Sequence, residues 1–78
     1  MTNLQKYAQA FITCFGVTED KLAELTYQSI SEWDSVGHMG LIAELEDIFE
    51  IMMDTDDIID LSSFEKGKEI LKKYDVEI

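Results

Sequence analysis

The chain has 78 residues, 46% of them apolar, with one cysteine, no proline and a formal net charge of -11. That length allows one domain, residues 1–78, and the apolar share excludes a disordered chain. The single cysteine, Cys14, excludes an intrachain disulfide framework and a multi-cysteine zinc site.

Seventeen acids stand against six lysines and no arginine. Nucleic acid and anionic membranes are therefore poor partners, and basic protein surfaces or cations better ones. No run approaches the roughly 20 apolar residues of a membrane-spanning helix. The apolar residues from Ala8 to Val17 are broken by Gln9, Thr13 and Gly16, and only Lys6 precedes them. That is a poor secretory signal, so a cytoplasmic location is expected. Charge is uneven along the chain. No cation lies between Lys21 and Lys66, where twelve of the 17 acids fall.

Thr2 is placed to cap a first helix, with Gln5 completing a capping box. Leu4, Tyr7, Ala8, Phe11, Ile12 and Phe15 follow the spacing of one buried helical face, and Gly16 is a fitting stop. Cys14 falls at the edge of that face. Thr18 with Lys21 opens a short helical turn through Leu25. Tyr27 to Trp33 show neither helical nor strand periodicity. A long irregular segment in so small a domain is unusual and often functional. Leu22, Leu25, Ile30 and Trp33 are the anchors that offset its ordering entropy.

A second helix starts at Asp34, a good N-cap. At about 100° per residue, Leu41, Ile42, Leu45, Ile48, Phe49 and Met52 share a buried arc. A short third helix runs from Thr55 to about Leu61, with Thr55 as cap and Asp56 and Asp57 in its first turn. The last helix begins near Ser62 or Ser63, with Ser62 and Glu65 as a capping box. Phe64, Ile70, Leu71 and Tyr74 form its inner face. Glu65–Lys68 and Glu69–Lys73 are spaced to pair outside. Val76 and Ile78 are read as a loosely packed tail. The fold class is all-α: a bundle of three longer helices and one short one, with a long first loop.

Ser35 occupies the first position of the second helix. Its hydroxyl therefore lies beside unpaired N–H groups at the positive end of the helix dipole, where a phosphate ester is tolerated. By itself this is also simply a good helix-start residue. The polar side of the helix carries Ser35, Glu46, Asp47 and Glu50, with Val36, Met39 and Ala43 interleaved. An apolar strip flanked by carboxylates suits a partner with an apolar dent and a basic rim, and burial against the loop is the plainer alternative.

With these residues in view, the chain resembles the acyl carrier protein family along essentially its whole length. Trp33-Asp34-Ser35-Val36-Gly37-His38, followed by Leu41 to Phe49, is similar to the family's Asp-Ser-Leu phosphopantetheine site and the helix after it. The resemblance implies a four-helix bundle. It implies that a phosphopantetheinyl transferase moves phosphopantetheine from coenzyme A onto Ser35, beside Asp34. It further implies a monomeric carrier whose arm holds an acyl or aminoacyl group as a thioester for loading and acyl-using enzymes. Val36 stands where leucine is commonest. Gly37 and Gly40 stand where carriers of fatty acid synthesis often have acids, which points to dedicated partners in a specialised pathway. Asp54 stands where many relatives have proline.

Other functions compete with this one. Asp54, Asp56, Asp60 and Glu65 echo a calcium loop, but Ile58 occupies a ligand position and Ile59 the glycine position. No specific metal site is expected. His38 lies one turn after Ser35, yet a hydrolase would need an orienting group and an oxyanion hole, and the nucleophile-elbow motif is absent. His38 is read as a packed first-turn residue, and Met39, Met52 and Met53 as adaptable fillers. The runner-up function is a non-enzymatic acidic adaptor that binds a basic protein partner.

Overall fold

The computed structural model describes residues 1–78. The chain is mostly helical and forms no strand. In order come α1 (Asn3–Phe15), a 3-10 turn (Glu19–Glu24), α2 (Ser35–Phe49), α3 (Thr55–Asp60) and α4 (Phe64–Lys72).

α1 is capped as its sequence requires. The Thr2 hydroxyl accepts the Gln5 N–H, and the Gln5 side chain accepts the Thr2 N–H at 2.8 Å. Two of the helix's orphan donors are thereby satisfied. Gly16 ends α1 at φ +67°, a conformation that costs glycine little, and its N–H returns to the Ile12 carbonyl. The buried face is Tyr7, Ala10, Phe11 and Phe15. It is turned from the expected stripe: Ala10 replaces Leu4, which is exposed. The first turn stands at the rim of the core, and Leu4 borders a shallow surface groove with Leu22, Phe64 and Lys68.

Sixteen buried apolar residues make one core. Its centre is aromatic. Phe11 meets Tyr7, Trp33 and Phe64 edge-on at 4.9 to 5.5 Å, and Phe15 stacks on Trp33 at 5.2 Å. Such pairs add about 0.5–1.5 kcal/mol each beyond their burial. Trp33, fully buried, is the anchor of the long first loop. The loop is also stitched to the start of α4: the Tyr27 N–H donates to the Ser62 carbonyl and the Phe64 N–H to the Leu25 carbonyl. The buried Tyr7 hydroxyl donates to the Phe64 carbonyl at 2.6 Å. Burial pushes the Tyr7 phenol well above its ordinary value, aided by the charge of Glu65.

Leu41, Ile42 and Leu45 of α2 are buried, and Ile48 and Phe49 pack against the core. Met52 departs from the expected arc. It is 87% exposed, because α2 stops at Phe49 and Glu50 turns left-handed at φ 54°. Met53 takes the inward place instead.

The caps of the last two helices lie one residue from the expected positions. Asp54, not Thr55, is the cap residue of α3, and its side chain makes no capping bond. Ser63, not Ser62, caps α4 and accepts the Lys66 N–H. Ser62 instead contributes its carbonyl to the loop. Glu65–Lys68 forms at 2.8 Å, but Glu69 approaches Lys66. Lys73 is drawn away to Asp57 at 2.5 Å. Asp57, in the first turn of α3 as expected, is buried and paired. Tyr74 is half-buried; its hydroxyl donates to Asp57 and accepts the Asp54 N–H. Val76 belongs to the core rather than to a loose tail, and Ile78 packs against it.

Candidate functional site

The site is built where the first loop hands over to α2. Asp34 has extended backbone, and its carboxylate accepts the Gly37 N–H at 2.8 Å. That bond starts the helix and presents Ser35 at its first position, exposed. The Ser35 hydroxyl takes no part in the side-chain hydrogen bonds of the capped turn, in which Asp34 bonds Gly37. It faces solvent beside the positive end of a 15-residue helix.

Ser35 opens onto a groove of about 320 Å³ between α2, α3 and the loop. Its other lining residues are Tyr27, His38, Met39, Ile58, Ile59, Leu61 and Ser62. The lining is mostly apolar. Ile59 is 71% exposed and Met39 53%, so an apolar rim surrounds the serine. Val36, next to Ser35, is 79% exposed. Exposed apolar side chains at this density mark contact surfaces.

His38 is held from two sides. The Trp33 indole N–H donates to its Nδ1 at 3.0 Å. Its Nε2 lies 2.7 Å from the Ile58 carbonyl oxygen. An indole can only donate and a carbonyl can only accept. The imidazole is therefore neutral, with its proton on Nε2. Both nitrogens are engaged, which leaves no lone pair to deprotonate Ser35.

The expected partner-reading residues divide into two groups. Val36, Met39, Ala43, Asp47 and Glu50 are exposed. Glu46 is half-buried and bends inward, where its carboxylate accepts the Met53 N–H at 2.9 Å. It ties the turn after α2, so its charge is committed to the backbone. Glu50 lies just past the helix end in left-handed backbone, off the helical face that its spacing suggests.

Gly37 has a steric reason of its own. A Cβ there would lie 2.0 Å from the Glu32 carbonyl oxygen. The close approach of backbone to backbone accounts for the glycine without a partner. Gly40 has open space around it. Asp54, Asp56, Asp60 and Glu65 are not gathered into a cluster of metal-ligating side chains, and Glu65 pairs with Lys68.

Tyr27, Ile58, Ile59, Leu61 and Ser62 belong to the site and were not legible as such in the sequence. In the sequence the Ile58-Ile59 pair stands out only as a defect in a calcium loop. Two adjacent isoleucines in an otherwise acidic helix were the available signal. Comparison with protein-family models, curated proteins and solved structures finds no match for this chain.

Proposed function

We propose that this chain is a small acyl carrier that bears phosphopantetheine on Ser35. The observation that carries the reading is an exposed, unbonded hydroxyl at the first turn of a capped helix, opening directly onto an apolar groove. The resemblance around Trp33 to Phe49 points the same way.

The residues fit the group. A phosphodiester on Ser35 is favoured by the helix dipole, while the neighbouring Asp34 carboxylate directs it outward to solvent. A groove of about 320 Å³ with apolar walls suits a short acyl chain better than a charged ligand. When bound, the arm's terminal thiol supplies thioester chemistry, which belongs to the cofactor and the partner enzymes. The protein's own part is to present the hydroxyl on a rigid helix and to be read by several partners. Val36, Met39 and Ala43, with Asp47 and Glu50 beside them, are the surface proposed for that reading. Partners carrying arginine or lysine around an apolar dent would associate quickly and leave quickly. The proposed partner set is a phosphopantetheinyl transferase and the loading and acyl-using enzymes of a specialised pathway.

The test is intact mass. The unmodified protein is incubated with coenzyme A, magnesium and a broad-specificity phosphopantetheinyl transferase. One phosphopantetheine should add to the parent and none to Ser35→Ala. Modification of the alanine variant, or of neither protein by several transferases, overturns the reading and leaves the acidic adaptor in its place.

A further inference from the structure

α3 is held in an unusual way. Of its six residues only Asp57 is buried, and the half-buried Ile58 is its one apolar side chain packed against the core. Polar ties fasten it at two places. Asp57 meets Lys73 and the Tyr74 hydroxyl at the end of the chain. The Ile58 carbonyl meets Nε2 of His38 on α2.

The second tie has a particular logic. The last four carbonyls of a helix have no partner within it. Ile58 is one of them in α3, which ends at Asp60. His38 satisfies it from a different helix and so acts as a C-cap supplied by α2. The ring is fixed on its other nitrogen by the Trp33 indole N–H, and by Trp33 and Tyr27 against its faces and edge at 6.2 and 5.5 Å. His38, Ile58 and Ile59 all line the groove beside Ser35.

We propose that His38 is a clasp of fixed tautomer that holds α3 over this groove and sets how far the groove opens. Loss of the clasp frees the C-terminal turn of α3 while the aromatic core stays shut. The clasp is a property of the bare chain; its use, to govern whether a cargo tethered at Ser35 shelters in the groove, rests on the carrier reading.

Two measurements on the unmodified protein test the clasp. The first is the nitrogen-15 spectrum of His38, expected to show a protonated Nε2 and a bare Nδ1 at neutral pH. A proton on Nδ1 would overturn the proposal. The second is amide hydrogen exchange of two variants. His38→Gln can still place a donor at the ε position; His38→Asn cannot reach Ile58. In His38→Asn the Leu61 amide, bonded to the Asp57 carbonyl, should exchange roughly three- to tenfold faster, the effect of losing one hydrogen bond locally. α1 amides should be unchanged, and His38→Gln should stay near the parent. If α1 and α3 amides accelerate together in His38→Asn, or if neither does, His38 is merely a packed core residue. Should the asparagine variant not fold, the tautomer and the glutamine variant still decide the matter. None of these readings depends on Ser35 carrying an arm, so failure of the clasp and failure of the carrier function are separable.

Discussion

The Glu32 carbonyl lies so close over Gly37 that no side chain fits between them. A larger residue must push the last turn of the loop away from the first turn of α2. Gly37→Ala should therefore cost about 1–3 kcal/mol, in line with forced overpacking. Gly40→Ala, in open space, should instead stabilise by about 1 kcal/mol, the helix-propensity difference. Urea unfolding of the two variants checks both signs. An acid introduced to improve recognition by fatty-acid-synthesis partners belongs at position 40 and not at 37.

The tie at Asp57 predicts a pH window. Hydrogen bonds from Lys73 and then Tyr74 hold its carboxyl below the usual carboxylate range. A depressed value means stability that is full above the ordinary value near 4 and is lost as pH falls through the lowered one. Donating to Asp57 raises both Lys73 and Tyr74. Their share is full below their ordinary values near 10 and is lost as pH rises past them. The difference in urea midpoint between the parent and Asp57→Ala should thus be flat from about pH 5 to 9 and shrink beyond both ends. A difference that grows on acidification would refute the assignment.

Glu50 adopts a backbone conformation natural to glycine. Glu50→Gly should raise stability by about 0.5–1 kcal/mol, by relieving the Cβ clash of a left-handed residue at a helix end. A lower thermal midpoint would show that the Glu50 side chain contributes more than its backbone costs.

The docking face predicts a contrast in salt dependence. Asp47→Lys with Glu50→Lys should lower the transferase's kcat/KM on this protein, most at low salt. Each exposed pair is worth no more than about 1 kcal/mol, and the screening length is about 10 Å at 0.1 M. Val36→Ser should lower it with little salt dependence, because the lost contact is apolar. Glu46 is excluded from the reversal, since Glu46→Lys would release the Met53 N–H and blur docking with folding. Parental rates for the double lysine variant at every salt concentration would reduce the acidic face to a solvated surface.

Self-repulsion is the last expectation. A net charge of -11 is spread over a domain in which Lys66, Lys68 and Lys73 are already paired. Millimolar magnesium or moderate salt should raise the melting temperature. Curves that do not move would mean that the repulsion is relieved within the chain.

What the sequence revealed was what local rules govern. The Thr2–Gln5 box, the stop at Gly16, the Asp34 cap and the inward turn of Leu41, Ile42 and Leu45 each depend on a few neighbouring residues. Met52 was misplaced because its side depends on where α2 ends, and Glu50 ends it without a glycine. The burial of Asp57 was not legible, because its partners, Lys73 and Tyr74, lie a whole helix away. Gly37 answers to a carbonyl five residues earlier across an irregular turn. Ser35 was visible from its position and motif. The groove beside it was not, since its walls come from the loop, α2, α3 and the turn before α4.

Trp33 is the chain's single tryptophan. It is fully buried, stacked on Phe15 and hydrogen-bonded through its indole to His38. All indole fluorescence of the protein therefore arises at the junction of loop, core and clasp. Exposure of the ring to water follows global unfolding, while a change in its N–H partner follows the release of His38 alone. One emission spectrum, followed through a titration, would report on the core and on the proposed clasp together, without any label.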